Sequence, residues 1–79
     1  MTRLEIFEKL QKIFRDIFDD NTLVITDTTN SSDIDEWDSL NHINLVVAIE
    51  KEMGIKFSFE ELAILKNVGA MVDLMLQKK

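Results

Sequence analysis

The sequence predicts an all-α fold: a four-helix bundle with a long loop between helices 1 and 2 and a short third helix. Apolar residues recur at i, i+3, i+4 and i+7 in separate segments, and a capping residue precedes each of them. The one β-branched run, Leu23-Val24-Ile25, has no second strand to pair with. Because 79 residues with 46% hydrophobic content supply one small core, we expect a single domain over residues 1–79.

The first predicted helix spans about residues 3 to 18. Thr2 and Glu5 form a capping-box signature at its start, and turn-forming residues follow its end. Residues 19–37 are rich in short polar side chains that compete with the helix backbone, so we expect a long loop there. Leu23-Val24-Ile25 should attach this loop to the core. The apolar face of helix 1 consists of Ile6, Phe7, Leu10, Ile13, Phe14, Ile17 and Phe18.

The second predicted helix begins after Asp38, its N-cap, and ends at Gly54, a residue suited to the left-handed conformation that terminates helices. Its apolar surface is too wide to be a single narrow stripe, so part of it should remain outside the core. The residues of this surface are Leu40, Ile43, Leu45, Val46, Val47, Ile49 and Met53.

Two more helices complete the prediction. Ser58 and Glu61 repeat the capping-box signature and begin a short helix that ends near Lys66, and Asn67 caps the last helix. The last helix carries Val68, Met71, Val72, Met75 and Leu76.

Phe59 and Ile64 give the short third helix apolar residues on more than one face. Two interpretations are open. These side chains either pack on the loop around Leu23 to Ile25, or form an apolar patch for a partner or a tethered chain.

The composition excludes several classes of site. Without cysteine the chain has no disulfide, thiolate metal site or cysteine nucleophile, and a single histidine, His42, excludes a multi-histidine metal site. We therefore expect no metal. No apolar run reaches the ~18 residues of a membrane span, and the N-terminus does not resemble a secretory signal. We expect a cytoplasmic protein.

The net charge of −6 is concentrated in the middle of the chain: residues 19–61 carry eleven of the fifteen carboxylates and two of the nine Lys and Arg. Nucleic-acid binding needs clustered Lys and Arg, so we expect no nucleic-acid partner. The acidity favours partners with basic patches, although an acidic surface that only aids solubility is the alternative.

Asp38-Ser39-Leu40 is the strongest candidate functional motif. Ser39 would be the first helical residue, with its hydroxyl in solvent and its backbone at the positive end of the helix dipole, which suits a phosphodiester. Ser39, His42 and Asp38 could also suggest a hydrolase, but the chain has no Gly-x-Ser-x-Gly elbow and is too short to enclose an oxyanion loop. We therefore expect no enzymatic activity.

Trp37-Asp38-Ser39-Leu40, the aliphatic spacing through Val46 and Val47, and the Glu-Lys-Glu-Met-Gly-Ile of residues 50–55 resemble the acyl carrier protein family, in an order that covers nearly the whole chain. The resemblance implies a single carrier domain in which Ser39 holds a covalent 4′-phosphopantetheine arm. The thiol of the arm would tether acyl or ketide intermediates of fatty-acid or polyketide biosynthesis as thioesters. Asp38 would cap helix 2 and position magnesium–coenzyme A during loading, or act only as a cap. Leu40 completes the motif.

The same resemblance implies a monomer with three kinds of partner. They are a phosphopantetheinyl transferase, an acyl- or aminoacyl-loading ligase, and synthase or transferase enzymes with basic patches. Helix 2 resembles the recognition helix of the family, and His42 would be a surface residue near the arm. The implied partner contacts are Leu40, Ile43, Val47, Glu50, Glu52, Asp35 and Glu36.

Two departures from the family pattern qualify the type of carrier. Asn41 and Asn44 stand at positions that are commonly acidic in fatty-acid-synthesis carriers, and Trp37 stands where those carriers usually have a small residue. The resemblance therefore implies a dedicated pathway, of polyketide type. The alternatives are an aminoacyl or peptidyl carrier and an unmodified acidic helical interaction module.

Overall fold

The structure, a computed structural model, describes residues 2–65 and 67–78, without the side chain of Ile64. Within these residues the chain forms four α-helices and no strand, with one isolated bridge between Asn30 and Asn67. The all-α prediction with a long first loop and a short third helix is confirmed. No helix within residues 2–65 and 67–78 is both long enough and apolar enough to cross a membrane. The helices are α1 Arg3–Ile17, α2 Ser39–Met53, α3 Phe59–Ile64 and α4 Val68–Lys78.

The first helix, α1, is the central packing element, since both α2 and α4 pack against it. Its predicted capping box is present: Thr2 Oγ1 accepts a hydrogen bond from the Glu5 amide at 3.2 Å, and Glu5 Oε1 accepts from the Thr2 amide at 2.9 Å. The helix ends at Ile17, one residue before the predicted end, and Phe18 is its C-cap. The buried residues of α1 are Ile6, Leu10, Ile13 and Phe14.

The second helix, α2, is apolar on two faces and buries one of them. Asp38 caps its start and Gly54 ends it with a φ of 66°, both as predicted. The prediction that part of its apolar surface stays outside the core is confirmed. The buried side chains are Leu45, Val46, Ile49 and Met53, and the exposed ones include Leu40, Ile43 and Val47.

The loop between α1 and α2 is attached to the core at more points than the sequence predicts. Ile25 is buried and Leu23 half-buried, as expected, but Val24 is 67% exposed, so its predicted anchoring role is wrong. The physical reason is that its two neighbours both point inward, which turns the residue between them to the opposite side. Ile34 and Trp37 are further buried anchors of this loop.

The loop also caps α4. The carbonyl of Thr29 accepts a hydrogen bond from the Val68 amide, and the carbonyl of Asp27 accepts one from the Gly69 amide, each at 2.9 Å. The side chain of Asn67, the predicted cap, accepts from the Ala70 amide at 2.8 Å. The first amides of α4, which have no partner within the helix, are therefore satisfied by the loop and by Asn67.

Arg3 joins the start of α1 to the loop and to α4. Its guanidinium lies 3.0 Å from the carboxylate of Asp27 and 3.2 Å from that of Asp73. These two hydrogen-bonded carboxylates raise the pKa of Arg3. Because all three groups are exposed to solvent, we assign this contact a role in orientation rather than in stability.

The third helix, α3, has its predicted capping box between Ser58 and Glu61 and ends at Ile64. The predicted end near Lys66 lies outside the described residues. Two polar contacts hold α3 in place: Glu50 of α2 accepts the Phe57 amide at 2.8 Å, and Glu61 pairs with Lys78 of α4 at 2.8 Å.

Phe59, the first residue of α3, is 88% exposed. Of the two interpretations that the sequence leaves open, packing of this ring on the loop around Leu23 to Ile25 is therefore wrong. The corresponding prediction for the Ile64 side chain lies outside the described residues.

Gly69→Ala tests the close approach of the loop to α4. A Cβ at this position would lie 2.8 Å from the carbonyl oxygen of Asp27, which is backbone and cannot rotate away. Helix propensity alone would make alanine stabilising by up to about 1 kcal/mol. We expect the clash to reverse that sign and to lower the free energy of unfolding by about 1–3 kcal/mol in urea denaturation. An unchanged or raised free energy would contradict the close approach.

Candidate functional site

Ser39 lies at the first position of α2, with its side chain exposed. Asp38 fixes this start, because its carboxylate accepts the Asn41 amide at 2.8 Å and its carbonyl accepts the His42 amide at 2.8 Å. The amides of Ser39 and Leu40 have no hydrogen-bond acceptor within the part of the chain that the structure describes. A free hydroxyl therefore lies beside two free donors at the positive end of a fifteen-residue helix.

A groove of about 760 Å³ runs between α2 and α3 and has Ser39 in its wall. Its polar side chains lie near the start of α2, and its apolar side chains continue towards α3. It can accept a group that begins at the Ser39 hydroxyl and has both polar and apolar parts. The residues lining the groove are Ser31, Trp37, Asp38, Ser39, His42, Ile43, Phe59 and Leu65.

Trp37 separates this groove from the helical core. The side chain is only 5% exposed, and its ring meets Phe14 edge to face with the centroids 5.2 Å apart. It also lies 6.5 Å from the ring of Phe18. The sequence marks Trp37 as unusual, but its packing depends on α1, which is distant in the chain.

His42 is bound to Trp37. The indole Nε1–H donates to His42 Nδ1 at 3.0 Å, and the two rings lie edge to edge and nearly coplanar, with an interplanar angle of 17° and centroids 6.1 Å apart. His42 lines the groove beside Ser39, but it is less exposed than a free surface residue, because this contact holds the imidazole half-buried. A buried indole N–H needs an acceptor. The sequence places a possible acceptor nearby, because His42 follows Trp37 by five residues across the start of α2.

Burial lowers the pKa of His42, and a backbone hydrogen bond with Leu62 of α3 partly opposes this effect. Since Nδ1 can accept from the indole only without its own proton, the geometry also requires the neutral imidazole. The same ring therefore connects the loop, α2 and α3 on one side of the groove.

Three apolar residues of α2 face solvent near the groove. Leu40 is 68%, Ile43 58% and Val47 49% exposed, whereas Ile49 on the opposite face is fully buried. The spacing of three and four residues places them on one side of the helix. Together with Phe59 they give this surface an apolar centre.

The acidic residues assigned to partner binding lie in different surroundings. Asp35, Glu36 and Glu52 are exposed. Glu50 is half-buried, and its carboxylate accepts the Phe57 amide. The carboxylate of Glu50 therefore holds the connection between α2 and α3, a role that the sequence does not predict.

No group of three or more His, Asp or Glu side chains that could hold a metal ion occurs among residues 2–65 and 67–78.

Comparisons with known proteins agree with this arrangement. Residues 8–75 match the family described as a phosphopantetheine attachment site. The acyl carrier protein of Petrotoga mobilis is 37% identical over 79 residues, which cover 99% of this chain and 92% of that protein. The acyl carrier protein of Thermosynechococcus vestitus is 32% identical, over 99% of this chain and 96% of that protein.

A solved structure shows the same fold. The solution NMR structure of holo acyl carrier protein from Geobacter metallireducens superimposes with a TM-score of 0.88 at 48% sequence identity. The match covers 92% of this chain and 84% of that chain.

A small helical fold with a free serine at the start of α2 and a groove beside it defines a carrier with a covalently attached prosthetic group. The chain belongs to the acyl carrier protein family, whose members carry acyl groups on covalent 4′-phosphopantetheine and are not enzymes. The site fits this group: a hydroxyl for the bond, two free amides for a phosphodiester, and a groove with polar and apolar walls. Family membership implies a phosphopantetheinyl transferase and synthases as partners.

The stability of the protein should depend on pH through His42. Because the folded-state pKa lies below the ordinary 6.5, the unfolded chain binds more protons as the pH falls through that value. The contribution of neutral His42 to the free energy of unfolding is therefore complete above pH 6.5, and it is lost as the pH falls towards the lowered folded-state pKa. We expect urea denaturation to show a free energy of unfolding that decreases below pH 6.5.

His42→Gln is the control, because the chain has no other histidine. Hydrogen bonds lower the pKa values of Glu5 and Glu61 from 4.5. Protonation of these two carboxylates therefore reduces stability at a lower pH than protonation of His42 does, and it does so in the wild type and in His42→Gln alike. A variant that loses stability between pH 6.5 and 5 as steeply as the wild type would contradict a buried neutral His42.

Proposed function

We propose that the Oγ of Ser39 is the attachment point of the phosphopantetheine arm. The observation that carries this proposal is the position of Ser39, exposed at the first residue of α2 and in the wall of the groove. A transferase can approach an exposed hydroxyl directly. The free amides of Ser39 and Leu40 and the dipole of α2 favour the negative charge of the phosphodiester that forms there.

The arm supplies the thiol that this cysteine-free chain lacks, and so it allows cargo to be held as a thioester. The residues of the chain position that attachment. Asp38 caps the start of α2, which fixes the backbone of Ser39 at the first position of the helix. We assign residues 1–79 to a single carrier domain.

We propose that partner enzymes dock on the exposed apolar residues of α2 and are guided there by acidic side chains. Leu40, Ile43 and Val47 form the apolar centre, and exposed carboxylates lie at both ends of α2 and in the preceding loop. Such a surface suits basic patches on the transferase, on an acyl- or aminoacyl-loading ligase and on synthases. The carboxylates increase the rate of encounter more than the final affinity. They are Asp35, Glu36 and Glu52, with Glu50 also bound to the Phe57 amide.

We propose that the carrier serves a dedicated pathway of polyketide type. The surface of α2 next to Ser39 is neutral, because Asn41 and Asn44 take the place of carboxylates there. The Asn41 amide group donates to the carbonyl of Glu36 at 2.7 Å and so binds α2 to the acidic loop. The negative charge near Ser39 therefore lies on the loop residues Asp33, Asp35 and Glu36 and on the cap Asp38, and a partner specific for this carrier would match that distribution.

Ser39→Ala tests the attachment site. Incubation of the wild type with coenzyme A, magnesium and a broad-specificity phosphopantetheinyl transferase should add the mass of one arm, measured by intact-mass spectrometry. Ser39→Ala should gain none, because the hydroxyl that forms the bond is absent.

Ser31→Ala is the matched control, because Ser31 is another exposed hydroxyl in the wall of the same groove. It should be modified as completely as the wild type. A wild type that stays unmodified with several transferases would leave the unmodified interaction module as the better description. Modification of Ser39→Ala would place the arm on another residue.

Ile43→Ala and Val47→Ala test the docking surface, with Ile49→Ala as the contrast. We expect both exposed substitutions to lower kcat/KM of the transferase about fivefold or more, while the free energy of unfolding stays within about 0.5 kcal/mol of the wild type. Ile49→Ala should instead cost about 2–4 kcal/mol of stability, because the side chain is fully buried. A comparable loss of stability at Val47 would contradict its assignment to the outer face.

A further inference from the structure

The groove beside Ser39 ends at the ring of Trp37. One side of the indole lines the groove, and the ring also contacts Phe14 and Phe18 in the core. Trp37 lines the groove together with Ser39 and is also buried against Phe14 of α1, so at this wall of the groove its ring lies between an attached group and the core. Entry into the bundle on this route requires displacement of the indole.

Displacement of the indole is unfavourable for two reasons. Its N–H would lose the hydrogen bond to His42 Nδ1, and a buried donor without a partner costs more than the bond itself contributes. The edge-to-face contact with Phe14 would also be lost. His42 holds the indole in place through this hydrogen bond at the N–H edge of the ring, and His42 is itself held by α2 and by its backbone hydrogen bond with Leu62.

We propose that the Trp37–His42 pair determines cargo specificity by closing the route from Ser39 into the helical core. Cargo then lies in the groove, which is a place for short acyl groups or for acyl groups that carry hydroxyl or amide functions. Trp37 is the barrier, and His42 is a positioning residue that keeps it closed. This inference rests on the proposed attachment at Ser39.

The chemistry of the groove supports the same class of cargo. Ile43, Phe59 and Leu65 offer apolar contact, and Ser31 and Asp38 add polar groups to the lining. Phe59 is almost fully exposed, so the outer side of the groove is open to water. A long alkyl chain in this groove would leave much of its surface in water, whereas a short or polar chain would not.

The test compares carriers that hold acetyl, hexanoyl and decanoyl groups. A broad-specificity transferase loads each group from the corresponding acyl-coenzyme A, and intact mass confirms the product. Thermal unfolding then measures whether the bundle shelters the chain, because each buried methylene would stabilise the folded state. For the wild type we expect the three melting temperatures to agree within about 2 °C.

Trp37→Ala removes the barrier, and Phe59→Ala removes an aromatic ring from the outer side of the groove as the matched control. In Trp37→Ala the decanoyl form should melt at least about 5 °C above the acetyl form, because the chain can fill the space that the indole leaves. Phe59→Ala should show the flat dependence of the wild type. A flat dependence in a folded Trp37→Ala would overturn the proposal.

The indole N–H resonance gives a second measurement that does not require Trp37→Ala to fold. Trp37 is the one tryptophan of the chain, so its resonance in a proton–nitrogen NMR spectrum is unambiguous. Its exchange with solvent should be equally slow in the acetyl and decanoyl forms of the wild type, because the N–H stays bonded to His42 Nδ1. In His42→Leu, which removes the acceptor, the exchange should be faster and should depend on chain length. A wild-type indole N–H that exchanges faster in the decanoyl form than in the acetyl form would overturn the proposal.

The measurements distinguish a wrong attachment site at Ser39 from a wrong Trp37–His42 barrier. If no acyl group is loaded on Ser39, the intact mass shows it before any melting experiment, and the proposed attachment site is wrong. If loading succeeds and the wild-type melting temperature increases steadily from acetyl to decanoyl, the attachment site stands and the Trp37–His42 barrier is wrong.

Discussion

The position at which α2 begins determines the rest of this structure. The Asp38 carboxylate caps the helix, and Trp37, directly before it, is buried against α1. Together they fix the rotation of α2 about its axis. A shift of one residue would turn every side chain by about 100° and would exchange Ile49 in the core with its neighbours. The capped start thus determines both which residues form the core and which hydroxyl faces the groove.

The long loop between α1 and α2 acts as a structural element although it contains no helix. Its backbone carbonyls at Asp27 and Thr29 cap α4, and its own amides and carbonyls are bound by α1. The Ile25 amide donates to Gln11 at 3.1 Å, and the Leu23 carbonyl accepts from Arg15 at 2.7 Å. The loop therefore fixes the position of α4 relative to α1, while its acidic residues remain in solvent. One segment thus combines support for the bundle with an acidic surface that is open to solvent.

The sequence predicts the features that depend on neighbours within one or two turns. Both capping boxes, the N-caps Asp38 and Asn67, and the exposed face that contains Ile43 and Val47 follow from spacings of three and four residues. The start of the candidate site, Ser39, is such a local feature. The boundaries of α1 are accurate to one residue, and α3 begins directly after its predicted cap Ser58, for the same reason.

Features that need two distant segments could not be predicted. Nothing in the spacing indicates that Glu50 would bind the Phe57 amide, or that Arg3 would meet Asp73, which is seventy positions away. Packing of Trp37 on Phe14 requires the relative placement of the loop and α1, and the half-buried state of His42 follows from that packing. The groove is formed by three such segments, so its shape is a property of the folded chain alone.

The placement of Trp37 makes it an intrinsic fluorescent probe of the candidate site. The chain contains no tyrosine and one tryptophan, so its fluorescence on excitation of the indole arises from one ring. That residue, Trp37, directly precedes Asp38-Ser39. That ring is hydrogen-bonded to an imidazole and shielded from water. The colour and intensity of this emission therefore reflect the surroundings of the groove, without a dye or an engineered label. In the isolated carrier, a change in what occupies the groove can therefore be followed by this emission in real time.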